Sequence, residues 1–233
     1  ADTDRPRATA FVLEMAQTDP RRAQGLIRHI AEEELRAGGP EGASNWIAGL
    51  PNDSAVKGSA LTQVIDRYAR RSPEEAASLV EGYANEDFAQ RAIREVSERW
   101  ANRDPEAAVS WLEDLPANDG QAQGFMAALG DWEDSDPEAA GTYLLKMPNS
   151  PQRDSAINGF AEGYAWQDPN TAVAWAADIS DPQMRNETLI NVGQIFFSRN
   201  PAEANTWIEG NDFPPEMVQQ IQRGRERRGG RRR

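Results

Sequence analysis

The sequence predicts an all-α protein, a right-handed αα superhelix or solenoid of about six 32-residue helical hairpins behind an N-terminal capping pair. Three observations predict this class. Proline recurs at a nearly constant interval, alanine and aromatic residues recur in phase with it, and no stretch shows the period-two alternation of a strand. A hairpin of this size cannot bury its own apolar face, so neighbouring hairpins are expected to stack.

The repeat is defined by residues in fixed columns. The successive spacings of the prolines are 33, 32, 32, 32 and 32, and an alanine follows each proline by three positions. A first, mostly aromatic column follows by three more, and a second aromatic column lies later in the unit. Because residues three apart share a helix face, both columns are expected to be repeat core. The prolines are Pro40, Pro73, Pro105, Pro137, Pro169 and Pro201. The predicted core residues are Ala43, Ala76, Ala108, Ala140, Ala172, Ala204, Trp46, Trp111, Trp175, Trp207, Trp100 and Trp132.

Each unit is expected to hold two helices. Five of the six residues that precede the prolines are good N-caps, and proline suits the first position of a helix. Ser72 with Glu75, and Asn200 with Glu203, also have the spacing of a capping box. The first helix is short because a Leu-Pro or Met-Pro pair ends it in several units. The second helix is longer and carries the second aromatic residue near its end.

The ends of the chain differ from the repeats, which divides the sequence into four regions. Residues 1–7 are polar and are predicted to be a flexible N-terminus. Residues 8–39 form a degenerate capping helix pair, with Phe11 on its buried face. Residues 40–222 hold the helical repeats, and residues 223–233 form an arginine-rich tail.

The unit resembles the broad tetratricopeptide-like family of helical repeats. The paired helices, the phased Trp, Tyr and Ala positions, and the proline at the repeat junction carry this resemblance from about Pro40 to Ile221. The repeat period is slightly shorter than that of a tetratricopeptide unit, which leaves half-repeat and other αα-solenoid families open. The pattern DPEAAxxWLxxLP is also similar to repeats of uncharacterised bacterial families. The resemblance implies protein or peptide binding in a superhelical groove and no catalytic residues.

The composition excludes several kinds of site. The chain has no cysteine and one histidine, which excludes disulfides, a thiolate nucleophile, cysteine-bound zinc and any site needing two histidines. His29 and Glu33 share a helix face but offer only two metal ligands. We therefore predict no catalytic residue, no cofactor and no metal. The longest apolar run, Ala172 to Ile179, is too short to cross a membrane.

Two acidic clusters are candidates for a catalytic or a calcium site. Glu113-Asp114 and the segment from Asp131 to Asp136 could pair carboxylates for glycoside hydrolysis. A general acid needs an apolar setting that raises its pKa, whereas these residues are expected to lie in links and caps. The second segment also lacks the spacing of an EF-hand loop. Neither cluster is therefore predicted to be a catalytic or a calcium site.

The seven tryptophans suggest one alternative function, carbohydrate binding by exposed rings and carboxylates. Six of the seven tryptophans fall in the two predicted core columns. Trp166 lies off-column and is the aromatic residue that we expect to be exposed.

The tail is the sharpest break in composition. It carries seven arginines and one glutamate, whereas the part of the chain before it carries 18 basic and 37 acidic side chains, a net charge of −19. Arginine with glycine spacers binds phosphates, so nucleic-acid or polyanion binding is one alternative function. Docking on an acidic protein surface is equally compatible with the tail. The predicted partner-binding residues are Arg223, Arg225, Arg227, Arg228, Arg231, Arg232 and Arg233.

The sequence as a whole predicts a non-enzymatic scaffold or adaptor that binds a protein or peptide, with a role as a subunit of a larger assembly left open. Nucleic acid is the less favoured partner, and no membrane insertion is expected. The chain starts at Ala1 rather than Met, which favours a periplasmic or secreted bacterial protein over a cytoplasmic one.

Overall fold

A computed structural model describes residues 4–52 and 55–223, and these residues contain thirteen α-helices, one 3-10 helix and no strand. The predicted all-α class is confirmed. The chain divides into two compact units, residues 1–124 and 125–233. The first unit holds α1 (Asp4–Thr18), α2 (Pro20–Ala48), α3 (Ala55–Tyr68), α4 (Pro73–Glu81), the 3-10 helix (Asp87–Ala89), α5 (Gln90–Ala101), α6 (Pro105–Asp114) and the start of α7 (Asp119–Ser135). The second holds the rest of α7, α8 (Pro137–Lys146), α9 (Pro151–Tyr164), α10 (Pro169–Ala177), α11 (Pro182–Arg199), α12 (Pro201–Glu209) and α13 (Pro215–Arg223).

Short and long helices alternate in the order that the proline spacing predicts. The short helices α4, α6, α8, α10 and α12 each begin at a repeat proline. The side chains of Asp104, Asp136, Asp168 and Asn200 accept hydrogen bonds from backbone N–H groups in the first turn that follows. These bonds use donors that have no partner inside the helix, and they fix where each short helix starts.

The capping box predicted at Ser72 does not form. Ser72 precedes α4, but its side chain makes no capping hydrogen bond. Glu75, the other half of the predicted box, instead accepts from the hydroxyl of Tyr68 at the end of α3. This hydrogen bond, with smaller effects of burial and of the Glu75 charge, raises the pKa of Tyr68 to about 12.

The start of the chain also differs from expectation. Helix α1 begins at Asp4, so residues 4–7 are helical although the polar composition suggested a flexible end. Phe11, expected on the buried face of α1, is 53% exposed, whereas the adjacent Val12 is buried. In α2, Gly39 has φ 61° and ψ −156°, which interrupts the helix just before Pro40. A left-handed φ favours glycine, so this residue separates the capping pair from the first repeat.

The side chains of the alanine column are buried, and those of the tryptophans in the two aromatic columns are buried or half-buried. All six column alanines are completely buried. The aromatic residue near the end of a long helix contacts the ring eleven positions later, on the next short helix. These ring pairs are Trp100–Trp111, Trp132–Tyr143 and Phe196–Trp207, with centroid separations of 5.9, 5.6 and 5.9 Å.

The long helices pack against one another as well as against the short ones. Helix α3 packs on α5 in the first unit, and α11 packs on α9 in the second. Polar bonds join these neighbours, such as Asn158 to Thr188 at 2.6 Å and Asn191 to Glu162 at 2.7 Å. Within each unit, therefore, successive long helices present adjoining surfaces.

Candidate functional site

The predicted tail lies almost wholly outside the described residues. Arg223 is the last residue of α13 and is exposed. Arg225, Arg227, Arg228, Arg231, Arg232 and Arg233 fall beyond the described part of the chain, so the tail as a partner-binding site stays a prediction.

All seven tryptophans fall within the described ranges, and one of them is exposed. Trp166 is 47% exposed, just after the end of α9. Stacking on a sugar requires accessible ring faces, and among the tryptophans Trp166 offers the most accessible one. The other six are buried (Trp46, Trp100, Trp111, Trp132) or half-buried (Trp175, Trp207).

His29 and Glu33 form no metal site with the residues around them. His29 is exposed on α2, and Glu33 pairs with Arg36 one turn further on. Among the residues that the structure describes, no group of three or more His, Cys, Asp or Glu side chains could hold a metal ion.

Most residues of the two acidic clusters lie in helices rather than in links or caps, which corrects the expectation: α6 includes Glu113 and Asp114, α7 includes Asp131, Glu133 and Asp134, and Asp136 alone is an N-cap. Glu133 lies within α7 and its side chain is completely buried, whereas Glu113, Asp114, Asp134 and Asp136 are exposed. Burial, with the charges of Asp134 and Asp131 adding to it, raises the pKa of Glu133 to about 7. The prediction that these acids lack an apolar setting is therefore wrong for Glu133.

Glu133 fits because the helix that faces it carries no side chain at one position. A Cβ added to Gly163 of α9 would lie 2.3 Å from Glu133 Oε1. Oε2 of Glu133 accepts a 3.4 Å hydrogen bond from Gln167, while Oε1 has no partner among the described residues. One carboxyl without a second reacting group does not make an active site, so we treat Glu133 as a titratable part of the core.

The burial of Glu133 could have been predicted by comparing the same position in other repeats. Glu133 follows Trp132 of the second aromatic column, and in three other repeats that position is a buried alanine: Ala69, Ala101 and Ala165. A glutamate in an alanine column is the signal.

A column of long polar side chains near the starts of four long helices was not recognised from the sequence. Each side chain donates hydrogen bonds to carbonyls at the end of the preceding short helix, where helical carbonyls lack partners. Gln121 Nε2 lies 2.7 Å from the carbonyl oxygen of Leu112 and 3.0 Å from that of Leu115. The available signal was that the last three members follow one another at the repeat period. The column consists of Lys57, Gln121, Arg153 and Arg185.

Lys57 is the most buried cation of this column, at 3% exposure. Its Nζ donates to the carbonyl of Leu50 at 3.0 Å and to Asn52 Oδ1 at 2.6 Å. The rings of Tyr83 and Phe88 lie beneath it, 5.5 and 5.9 Å from the ammonium to the ring centroids. Carbonyl dipoles and ring faces thus replace the water that a buried ammonium loses.

Charge is sharply divided between short and long helices in the first unit. The segments that hold the short helices, residues 40–52, 72–89 and 104–118, contain ten acidic residues and no Lys or Arg. The three segments that hold the long helices contain twelve basic and six acidic residues in total. These segments are residues 20–38, 55–71 and 90–103. The long helices of this unit therefore form a cationic surface, whereas its short helices are acidic.

A groove crosses this cationic surface, and we call it the arginine groove. It consists of three depressions of about 610, 240 and 480 Å³ that share lining residues. The apolar residues Leu35 and Phe88 contribute to its lining. The charged residues along it are Arg28, Glu32, Arg36, Asp66, Arg67, Arg70, Arg71 and Arg91.

Only part of the positive charge in the arginine groove is neutralised. Arg67 pairs with Glu32 at 3.3 Å, and Arg70 pairs with Asp66 at 3.0 Å. Burial raises the pKa of Asp66, but the hydrogen bond and charge of Arg70, with help from neighbouring side chains, outweigh that effect and hold it below its ordinary value. Asp66 therefore stays charged at neutral pH.

Three arginines of the groove have no such ion pair. Arg28, Arg71 and Arg91 are exposed, and none of them pairs with a carboxylate in the described part of the chain. Their guanidinium groups are therefore available to an external anion.

Comparisons with known proteins identify no relative. No protein-family model matches the sequence, and neither the curated proteins nor the solved structures include a significant match. In the described ranges, none of the helices combines the length and the apolar character that crossing a membrane requires.

Proposed function

We propose that the protein is a non-enzymatic helical-repeat scaffold that binds a protein or peptide partner, and that its helix pairs continue as a right-handed superhelix. The observation that carries the proposal is the row of long helices within each unit. Direct packing of α3 on α5, and of α11 on α9, gives adjoining polar surfaces. Helical repeats typically bind their partners along extended surfaces of this kind.

The burial and the hydrogen bonds of the chemically distinctive residues support a binding role over an enzymatic one. Tryptophan, which could have formed a ligand platform, is mostly taken up in the core. Lys57, Gln121 and Arg153 are occupied by helix-end carbonyls. The exposed faces of the long helices carry varied side chains, and varied exposed side chains are what partner recognition uses.

Site-specific photo-crosslinking tests the proposal. A benzophenone amino acid replaces Arg94, exposed on the long helix α5, or Glu74, exposed on the short helix α4. The tagged full-length chain is exposed to light in extract of the source cells, and crosslinked proteins are identified by mass spectrometry. We expect a discrete protein to crosslink at position 94 and not at position 74. Equal crosslinking at both positions, or none at position 94 above the dark control, would count against the proposal.

A further inference from the structure

The arginine groove combines excess positive charge, unpaired guanidinium groups and apolar lining. Four arginines line its largest depression together with two carboxylates, which leaves a local excess of two positive charges. Leu35 lies in the same depression, and Phe88 lines the adjoining one. A ligand that matches this surface carries several negative charges and at least one apolar group.

We propose that the arginine groove binds an acidic peptide segment of a partner protein, one in which carboxylate side chains flank an apolar residue. This inference rests on the proposed scaffold function and names the chemistry of the partner. Guanidinium groups bind carboxylates through paired hydrogen bonds, so Arg28 and Arg71 would each take a carboxylate. The apolar side chain of the peptide would then lie toward Leu35.

Charge and shape favour a peptide over a nucleic acid. Nucleic-acid backbones carry closely spaced phosphates, and Glu32 and Asp66 lie among the arginines where such phosphates would run. The short helices of the same unit carry only acidic charges, which repel a long polyanion extending beyond the groove. A short segment with separated carboxylates avoids both penalties.

The described part of the second unit, residues 125–223, offers no comparable cationic surface. It contains fifteen acidic and five basic residues. Two of those five, Arg153 and Arg185, already donate to backbone carbonyls. Within the described residues, the first unit is therefore the one expected to hold an acidic ligand.

Fluorescence anisotropy with the full-length protein tests the inference. The probe is a labelled peptide in which pairs of glutamates flank leucines, and its control replaces every glutamate with glutamine. The variant R28A/R71A removes the two unpaired arginines of the largest depression, whereas R21A/R22A removes the same charge from exposed positions on α2 outside the groove. Thermal unfolding checks that both double variants fold.

We expect the acidic peptide to bind the natural chain and the neutral peptide not to. R28A/R71A should weaken binding about tenfold or more, because two charge-assisted contacts are lost, while R21A/R22A should change it less than about twofold. Glu32→Gln should tighten binding about threefold, since it frees Arg67. Replacing the tail arginines at 225–233 with serine should leave the peptide affinity within about twofold.

Other occupants would show themselves in the same experiment and would overturn the inference. One such result is an oligouridylate that binds more tightly than the peptide and is lost in R28A/R71A. Another is self-association in light scattering that the same variant abolishes, which would assign the groove to a second copy. Equal peptide affinities of the two double variants would also overturn it. If a protein crosslinks at position 94 but the acidic peptide does not bind, the scaffold function stands and this inference fails.

Discussion

The side chain of Gln121 is buried and is therefore not accessible to a partner. Its amide group instead donates hydrogen bonds to two backbone carbonyls at the end of α6. Lys57, Arg153 and Arg185 do the same at other helix ends with different chemical groups. Three different residue types therefore make the same kind of hydrogen bond. The position requires a long side chain that can donate a hydrogen bond, rather than one particular residue.

Replacing Gln121 with leucine should therefore destabilise the protein. The carbonyls of Leu112 and Leu115 would lose their donor in a buried place, at a cost of about 1–3 kcal/mol. Gln17→Leu, on the exposed surface of α1, is the matched control and should change the free energy of unfolding by less than about 0.5 kcal/mol. Urea unfolding followed by circular dichroism measures both, and equal effects of the two substitutions would refute the assigned role.

Glu133 should make stability depend on pH. The pKa of its carboxyl is about 7 in the folded chain against 4.5 for the ordinary group, so the folded state binds the proton more tightly. Stability contributed by this group is then fully present below pH 4.5 and is lost as pH rises through 7. At higher pH, the cost of keeping the buried group charged reaches about 3 kcal/mol.

Glu133→Gln tests that sign, because an amide of the same shape does not ionise. We expect the variant to unfold at higher urea concentration than the natural chain at pH 8, with a much smaller difference at pH 5. Glu138→Gln, at an exposed position on α8, should show no such dependence. If Glu133→Gln gains no more stability at pH 8 than at pH 5, the carboxyl is not a buried titrating group.

At the scale of elements, glycine decides how closely two long helices approach. A Cβ on Gly159 of α9 would lie 1.9 Å from the backbone oxygen of Met126 in α7. Because the clash is with backbone, only a shift of one of the two helices could relieve it. Gly25 of α2, by contrast, has nothing within 4 Å of its added Cβ. The two glycines therefore serve different purposes, and only the first is required by packing.

Substituting each with alanine should separate these purposes. Gly159→Ala should destabilise by about 1–3 kcal/mol or more, because the helices must move apart. Gly25→Ala should stabilise by about 0.5–1 kcal/mol, because alanine is the better helix former and meets no obstacle. Thermal unfolding temperatures would reveal the opposite signs, and a harmless Gly159→Ala would contradict the close approach.

Across the whole molecule, the features that local chemistry determines could be predicted from the sequence. A proline behind Asp104 or Asp136 starts a helix because both the ring and the cap act within the first turn. The all-α class follows from such local signals repeated along the chain. Ser72 shows the limit of this reasoning, since Tyr68, from the preceding helix, binds the glutamate that the cap would have used.

Features that depend on distant partners were not predictable in the same way. Glu133 is buried because Gly163, on the next long helix, leaves room for it, and neither residue alone shows this. The division of charge in the first unit was visible as an absence of Lys and Arg from three segments. Its meaning required knowing that the long helices lie side by side and bring Arg28 and Arg71 to one groove.

Hydrogen exchange on the partner complex tests the central claim, that the long helices of the first unit form the binding surface. The full-length chain is compared alone and bound to the protein captured by crosslinking. We predict that bound partner slows exchange in α3 and α5, with α4 and α6 changing least. Slowing confined to α4 and α6, or to the second unit, would contradict the account.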